Sequence, residues 1–468
     1  MSEQPTLDAL TALAKRRGFV YPTSEIYGGL ASSYDYGPLG AELLRNIRNA
    51  WWDTFISRRA DIVGLDSQIL LHPQTWVASG HVASFTDPLV EDKVTHYRYR
   101  ADHLIEAWLQ NHPEADPLVV EELDLAQMAA FIDKHDIKSP DGNPVTHPRD
   151  FNIMFETAIG AVSGEKARVY LRGETAQGIF TNFRQVLDST RVTLPFGIGQ
   201  IGKSFRNEIT TGQFVFRTLE FEQAEIEYFF DPEQSDWREL FRLWQDEMWD
   251  FVTNTLGVRA EKLRWRRHTD RERSHYSRET YDLDYQFPFG YKELWGLAYR
   301  TDFDLRQHIE ASGARLEYRD PYSNRVFVPH VIEPAVGITR IFLMLLSDAY
   351  WEDEENERTV LRFKPALAPY KVAVFPLLKN RPALVEKARA VYRQLAHHLA
   401  TTWDERGNIG KRYYYQDEIG TPFCVTIDFD TLEDDTVTVR ERDTMEQVRI
   451  PITSLLPYLQ EKVAPAPV

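Results

Sequence analysis

Two short stretches concentrate the residue types that nucleotide chemistry demands. Residues 205–208 read Phe-Arg-Asn-Glu, and after a short polar loop residues 216–221 read Phe-Arg-Thr-Leu-Glu-Phe. Attack of a carboxylate on an α-phosphate concentrates negative charge on phosphate oxygens. The planar guanidinium of Arg206 is suited to hold that charge through paired hydrogen bonds. A lone string of this kind fits surface salt bridges on a hairpin as well. The second stretch, Val331-Ile-Glu333-Pro-Ala-Val-Gly337-Ile-Thr-Arg340, leads into an apolar run at 341–346. Read as a helix, that run presents free N–H groups and partial positive charge to an anion, and Arg340 in its first turn would complete a triphosphate clamp. Taken alone, the stretch also fits a core helix with a capping arginine. Gly197-Ile-Gly199-Gln-Ile-Gly202 satisfies the dinucleotide pattern, but that pattern needs a helix directly after it. Here turn chemistry follows and leads into a strand, so a Rossmann site is set aside.

The elements that must position these residues follow from periodicity. Leu7, Leu10, Leu13 and Ala14 mark a helix over 6–17, stopped by Gly18. Pro38 opens a second helix, on which Leu39, Leu43, Ile47, Trp51 and Phe55 recur every four residues; such a stripe serves either a core or a partner. Residues 91–150 change to short charged helical pieces with a turn cluster at 139–144, the texture of an insertion. Aromatic and β-branched residues dominate 151–230 and read as antiparallel strands. The apolar phase runs through Leu219 and Phe221, then Ala224, Ile226 and Tyr228, which predicts a β-bulge between 221 and 224. Residues 236–256 form a Trp-rich amphipathic helix. The acidic run at 352–357 reads as a solvated linker. Beyond it a strand at 372–376, a helix at 382–402, strands at 424–429 and 437–448 and a final helix make a small α/β domain.

Composition narrows the class. The chain has 468 residues, 43% hydrophobic and 27% charged, an ordinary globular balance for two to four domains. A net charge of −17 opposes non-specific coating of nucleic acid or anionic membrane, although a local basic groove can still act. Lys262, Arg264, Arg266, Arg267 and His268, continuing to Arg273 and Arg278, form one basic stretch, suited to an acceptor stem or a nucleotide and equally to a solvated loop. The single cysteine, Cys424, allows no intrachain disulfide and no multi-Cys zinc site. The N-terminus lacks the form of a secretory signal, and no apolar run is long enough to span a bilayer. A cytoplasmic, reducing location is expected.

Taken together, the stretches at 205–221 and 331–346 resemble motifs 2 and 3 of class II aminoacyl-tRNA synthetases. Leu171-Arg-Gly-Glu174-Thr-Ala-Gln-Gly-Ile-Phe180, Glu293-Leu294-Trp-Gly-Leu-Ala-Tyr-Arg300-Thr-Asp-Phe and Arg98-Tyr-Arg100-Ala-Asp-His resemble glycyl-tRNA synthetases in particular. The likeness runs nearly end to end. It implies an α+β fold, an antiparallel sheet flanked by helices, with a C-terminal α/β anticodon-binding domain. The implied division is 1–83 with motif 1, an insertion at 84–150, a catalytic core at 151–360 and the anticodon-binding domain at 361–468.

The resemblance also implies roles. ATP would be held by Arg206 on the α-phosphate, Asn207, Glu208 near the adenine amino group and Phe216 stacked on adenine. Arg217 would face the distal phosphates, with Thr218, Leu219, Glu220, Phe221, Glu293 and Leu294 nearby. Gly337, Ile338, Thr339 and Arg340 would complete the nucleotide site, Arg340 on the γ-phosphate and over the other face of adenine. Arg206 and Arg340 would carry catalysis. Glycine would meet Arg100, Glu174, Arg300 and Glu333, the floor Phe221, Glu222, Gln223, Ala224 and Glu225, and the segment Pro334, Ala335, Val336 and Gly337. The family usually has serine where this chain has Ala335, and the lost hydroxyl is a change of roughly 0.5–1.5 kcal/mol.

Tyr36-Gly-Pro38-Leu-Gly resembles motif 1, and the resemblance implies that the 39–55 stripe neighbours a homodimer axis. Residues 409–423 match the anticodon-binding domain. Lys411 and Arg412 beside three tyrosines suit phosphate neutralisation and base stacking, or equally an ordinary edge strand. Magnesium is expected with ATP, its ligands unassigned, and zinc is not. The implied partners are tRNA(Gly), glycine, ATP and a second copy of the chain, without a membrane. The rivals are a class II ligase for serine, threonine or proline, and a non-catalytic synthetase-like accessory protein, which would typically lack the motif arginines.

Overall fold

The computed structural model describes residues 5–115, 118–120, 123–160, 167–209, 213–269 and 277–464. One seven-stranded sheet carries the polar residues singled out above. Its strands are β1 (Ile62–Gly64), β2 (Phe196–Phe205), β3 (Glu220–Phe230), β4 (Leu263–Arg267), β5 (Glu279–Phe287), β6 (Gly290–Thr301) and β7 (His330–Gly337), in the spatial order β4-β5-β6-β7-β3-β2-β1. All pairings are antiparallel except β1 with β2. β3 and β7 are therefore neighbours, with Gln223 opposite Gly337 and Glu225 opposite Ala335.

The phase of β3 corrects the expected bulge. Its register against β2 runs without a break from Glu220–Phe205 to Phe229–Phe196. Ala224, Ile226, Tyr228 and Phe230 enter the main core, while Phe221, Gln223, Glu225 and Glu227 alternate with them on the other face. Phe221 belongs to a cavity wall rather than the core, so no parity change is needed. The sheet's irregularities lie elsewhere, at Leu283/Asp284 and at Tyr299/Thr301. The glycines of the dinucleotide-like string sit inside β2. A Cβ on Gly199 would come within 2.4 Å of Ile56, and one on Gly202 within 2.1 Å of Arg172, so close packing explains them.

Helix α1 (Pro38–Trp52) lays its stripe under the sheet. Leu39, Leu43, Ile47, Trp51 and the following Phe55 all lie in the protein's own core, so this stripe is not left open for a partner. α2 (Ala176–Ser189) packs through Ile179, Phe180 and Phe183 against Phe229. α3 (Trp237–Asp250) buries Phe241, Trp244 and Met248, as its pattern predicts. α4 (Phe303–Ser312) follows β6, and α5 (Ile338–Ala349) follows β7 with Gly337 at its N-cap. α5 is buried almost all round, which fixes its N-terminus relative to the sheet. A separate small core, including Val90, Ile105, Met128 and Val145, serves the 84–150 region.

The acidic run at 352–357 is not a linker. Tyr350–Asp353 and Arg358–Leu361 pair as a hairpin, and buried Asp353 accepts from Arg358 Nε at 2.7 Å. Beyond it β8 (Val372–Pro376), β9 (Thr401–Trp403), β10 (Phe423–Ile427), β11 (Thr436–Glu441) and β12 (Gln447–Pro451) form a sheet of order β9-β8-β10-β11-β12. α6 (Pro382–Ala396), α7 (Ile409–Ile419) and α8 (Ile452–Val463) accompany it. The tyrosine-bearing stretch is thus a helix, with Asn408 capping it through the Lys411 N–H at 2.9 Å, and not an edge strand.

Candidate functional site

One cavity of about 350 Å³ opens on the β3, β6 and β7 face and divides into a cationic and an acidic half. Arg206, just past the end of β2, is tied back by its own N–H to Leu219 O at 3.0 Å. Its Nε donates to Gly173 O at 3.1 Å, and its guanidinium lies 5.1 Å from the Phe85 ring centre and 5.2 Å from that of Phe221. Among the described residues it has no carboxylate partner. Arg340, in the first turn of α5, donates to Glu293 O at 3.0 Å, pairs with the Glu293 carboxylate at 3.1 Å, and stands 4.6 Å over Phe216. Arg217 is held below its ordinary pKa by burial, with Glu208 opposing and Arg100 and Arg340 adding to the shift. Such mutually repelling cations are an anion site. Glu208 Oε2 is buried and without a hydrogen bond among the described residues, Arg217 lying 3.9 Å away.

The acidic half begins where the residues before α2 meet β3, β6 and β7. Arg300, only 1% exposed, donates to both oxygens of Asp304 at 2.8 Å, to Glu333, and stands 3.9 Å from Glu174. Gln177 Nε2 joins Glu174 and Asp304 at 3.0 and 2.9 Å, and His81 lies 3.4 Å from Glu174. Burial would raise the Glu174 carboxyl, but His81, Arg300 and Gln177 outweigh it and hold it well below the usual range. Burial raises Glu333 despite Arg300. Burial, then Glu333 and Glu174, push Glu225 up to about 8. Glu174, Glu333 and Asp304 crowd the Arg300 guanidinium here, and a small cation would relieve the arrangement.

Of the residues singled out from the sequence, the cavity wall gathers Arg206, Glu208, Phe216, Arg217, Thr218, Phe221, Gln223, Glu225, Glu174, Glu293, Glu333, Ala335, Val336, Gly337, Thr339 and Arg340. Others are placed elsewhere. Glu220 and Glu222 are on the opposite face of β3, paired with Lys203 at 2.6 Å and Arg48 at 2.8 Å, and Ala224 is in the core. Leu294 and Ile338 are core residues, and Pro334 is buried within β7. Asn207 and Leu219 meet the structure through backbone bonds to Ile153 and Ser32. Arg300 is one layer behind the wall. Arg100 does not share its pocket: it pairs with Asp87 at 2.6 Å and Asp102 at 2.5 Å, near Glu208 and Arg217 at the nucleotide end. Arg172 is a brace, donating to Lys203 O and Ser67 O. Arg412 is also internal, donating to Pro376 O at 2.6 Å and Gly407 O at 3.0 Å, so it cannot neutralise a phosphate as expected; Lys411 stays exposed. Arg264, Arg266 and Arg267 pair with Asp284, Asp282 and Glu279, and Arg273 lies outside the described residues. Sequence reading missed His81, Asp282 and Glu227; for Asp304, its place four residues after Arg300 was the available signal.

An antiparallel sheet whose central strands deliver one arginine from a strand end and another from a buried helix into a single nucleotide-sized cleft, together with a C-terminal α/β domain, defines a class II aminoacyl-tRNA synthetase. Residues 371–462 match the family described as "Anticodon binding domain". Glycine–tRNA ligase of Bacillus anthracis is 50% identical over 463 residues, covering 98% of this chain and 99% of the relative. That of Alkaliphilus oremlandii is 49% identical over 469 residues, covering 99% and 100%, and that of Caldanaerobacter subterraneus subsp. tengcongensis is 50% identical over 468 residues, covering 99% and 100%. The chain belongs to the glycine–tRNA ligase family.

Proposed function

We propose that this protein activates glycine with ATP, giving glycyl-adenylate and pyrophosphate, and then transfers the glycyl group to the 3′ end of tRNA(Gly). The observation that carries the reading is one cavity with Arg206, which has no carboxylate partner among the described residues, and helix-borne Arg340 at one end and the Glu174–Glu225–Glu333 chamber at the other. Alignment of the glycine carboxylate with the α-phosphate and neutralisation of phosphate charge account for the first step without a covalent nucleophile. Glu174, Glu225 and Glu333 receive the ammonium through charge-assisted bonds. Selecting the smallest amino acid needs only steric exclusion beside its α-carbon, so no hydrolytic editing domain is required. Among amino acids tested by pyrophosphate exchange, glycine alone is expected to support turnover, and exchange with another in its place would overturn the assignment.

Asp282 and Glu293 would hold the magnesium that accompanies ATP. Both line the cavity, and Asp282 is raised by burial and then by Glu293, a repulsion a divalent cation relieves. Two carboxylates plus phosphate oxygens suit magnesium, which neutralises charge on the phosphates. For tRNA, exposed Lys411 and Tyr414 on α7 are the candidate contacts, Arg412 being internal. We assign residues 1–83 and 151–360 to catalysis, 84–150 to an insertion and 361–468 to anticodon binding, in the cytoplasm, where tRNA is charged. A homodimer would bury the exposed turn bearing Ile26 and Tyr27, each 87% exposed, and Leu30 at 60%.

A further inference from the structure

The Glu174 carboxylate is held from two sides. Its Oε1 accepts from Gln177 Nε2 at 3.0 Å and lies 3.9 Å from the Arg300 guanidinium. Gln177 is itself fixed, donating to Asp304 at 2.9 Å while its carbonyl oxygen sits 2.8 Å from His308 Nε2. The other carboxylate oxygen, Oε2, faces Nε2 of His81 at 3.4 Å. His81 is buried, and it lies behind the cavity wall that Glu174 helps to form.

The sequence Ser79-Gly80-His81 sets this ring. A helix over Pro73–Ala78 ends at Ser79, Gly80 takes the left-handed conformation at φ 85°, and a short helical turn starts at His81. The turn brings the Ser79 hydroxyl to 2.8 Å from His81 Nδ1, against 3.4 Å to Trp76 O. The imidazole packs against Trp76 and Phe85, at ring-centre distances of 5.2 and 5.0 Å. That packing asks only for an aromatic surface, which phenylalanine would supply without burying two polar nitrogens. The nitrogens instead meet one hydroxyl and one carboxylate. With the Ser79 proton on its shorter contact, Nδ1 accepts and Nε2–H points to Glu174. The reverse tautomer would turn an Nε2 lone pair toward the carboxylate.

We propose that His81, oriented by Ser79, is a positioning residue for the glycine ammonium: its Nε2–H holds Glu174 Oε2 so that the carboxylate turns its remaining lone pairs into the cavity. The inference rests on the glycine reading above and deepens it. With Oε1 anchored by Gln177 and Oε2 released, the carboxylate would swing about one contact, and the ammonium would lose a preorganised partner. Glu174 meets the ammonium alike before and during attack on the phosphate. Its loosening therefore falls on glycine KM rather than on kcat. The nucleotide end is spared, because Arg206 rests on the Phe85 ring at 5.1 Å and donates to Gly173 O, and neither contact uses an imidazole nitrogen.

The test is pyrophosphate exchange by the full chain, with glycine and ATP varied in turn, together with thermal unfolding of each variant. His81→Phe keeps the ring contacts and removes both nitrogens. Its glycine KM should rise about tenfold or more, the loss of one hydrogen bond to a charged group, with ATP KM and kcat within about twofold of wild type. His81→Asn puts its amide at the level of Nδ1, short of Glu174, and should behave like His81→Phe. His81→Gln can place its amide nitrogen where Nε2 stands and should bring glycine KM back to within about threefold of wild type. Ser79→Ala frees the ring and should raise glycine KM a few-fold. A wild-type glycine KM in folded His81→Phe, or equal values for the Asn and Gln variants, would overturn the positioning role and leave the substrate reading standing. So would an ATP KM rising in step with that of glycine, since it marks general support of the fold. If His81→Phe fails to fold, the comparison of Asn with Gln decides, alongside Ser79→Ala. Exchange driven by a different amino acid would overturn the substrate reading instead.

Discussion

Arg340 rests 4.6 Å over Phe216, which is too close for a base to lie between them. A planar ring needs roughly 3.5 Å on each face, about 7 Å in all. Stacking adenine there therefore requires Arg340 to swing outward, exchanging Glu293 for phosphate oxygens. Arg340→Ala is expected to lower pyrophosphate exchange by about 10²–10³-fold, the usual cost of removing one preorganised donor. Its circular dichroism and melting should stay normal, because the side chain is not part of the core; exchange near the wild-type rate would remove Arg340 from the clamp. Gly296 makes the complementary prediction. A Cβ there would meet nothing closer than Ala335 O and Asp282 Oδ1, both at 3.9 Å, so the fold accommodates it. The methyl would project beside Asp282 and Glu293 into the cleft. Gly296→Ala should weaken ATP binding by about 1–3 kcal/mol, the range of overpacking, without a loss of melting temperature. ATP KM and thermal unfolding measured on one sample check both halves. The arginines could be read from the sequence because each sits in a short string with its own chemistry. His81 and Glu227 could not, since what matters about them is which distant carboxyls they meet after folding.

At the level of elements, periodicity identified α1, α3 and α5 well because each has one apolar stripe or a wholly apolar run. It did not decide what a stripe packs against. The residues from Leu39 to Phe55 serve the protein's own core, and this yields a direct test. Ile47→Ala should destabilise the fold by about 2–5 kcal/mol through a cavity. The folded fraction should keep its oligomeric state in sedimentation analysis; dissociation without loss of melting temperature would instead place Ile47 at an interface. The β3 parity was misread because polar and aromatic residues of a cavity wall look like an interruption of the core pattern when only one neighbour is imagined. The run at 352–357 was misread because charge density is no guide to burial once Arg358 is there to pair with Asp353. Helix α7 resembled a strand because three adjacent tyrosines have strand propensity. Its Asn408 cap and the Gly420 C-cap, in left-handed conformation at φ 82°, were the better signals.

Across the whole molecule, the two halves are joined by ion pairs that no local pattern reveals. Asp417 on α7 is fully buried and accepts from Arg358 of the 350–361 hairpin at 2.7 Å and from Arg440 of β11 at 2.8 and 2.9 Å. The next residue, Glu418, binds Arg16 and Arg17 of the N-terminal helix, Arg17 Nε at 2.7 Å. Helix α7 is thereby fixed to the catalytic half along its buried side, while Lys411 and Tyr414 remain exposed. If tRNA binds on that exposed side, the Arg358–Asp417 contact sets the distance between the anticodon contact and the adenylate. Arg358→Met keeps Arg440 on Asp417 but removes the bridge and leaves Asp353 short of its cation, a cost of about 3–5 kcal/mol at the junction. Pyrophosphate exchange, which needs only the cavity, should stay within a few-fold of wild type, whereas tRNA charging should fall far more. Limited proteolysis near 361–371 should accelerate in parallel. Equal losses in exchange and charging would mean that Arg358 supports the catalytic fold itself rather than the spacing between the two halves.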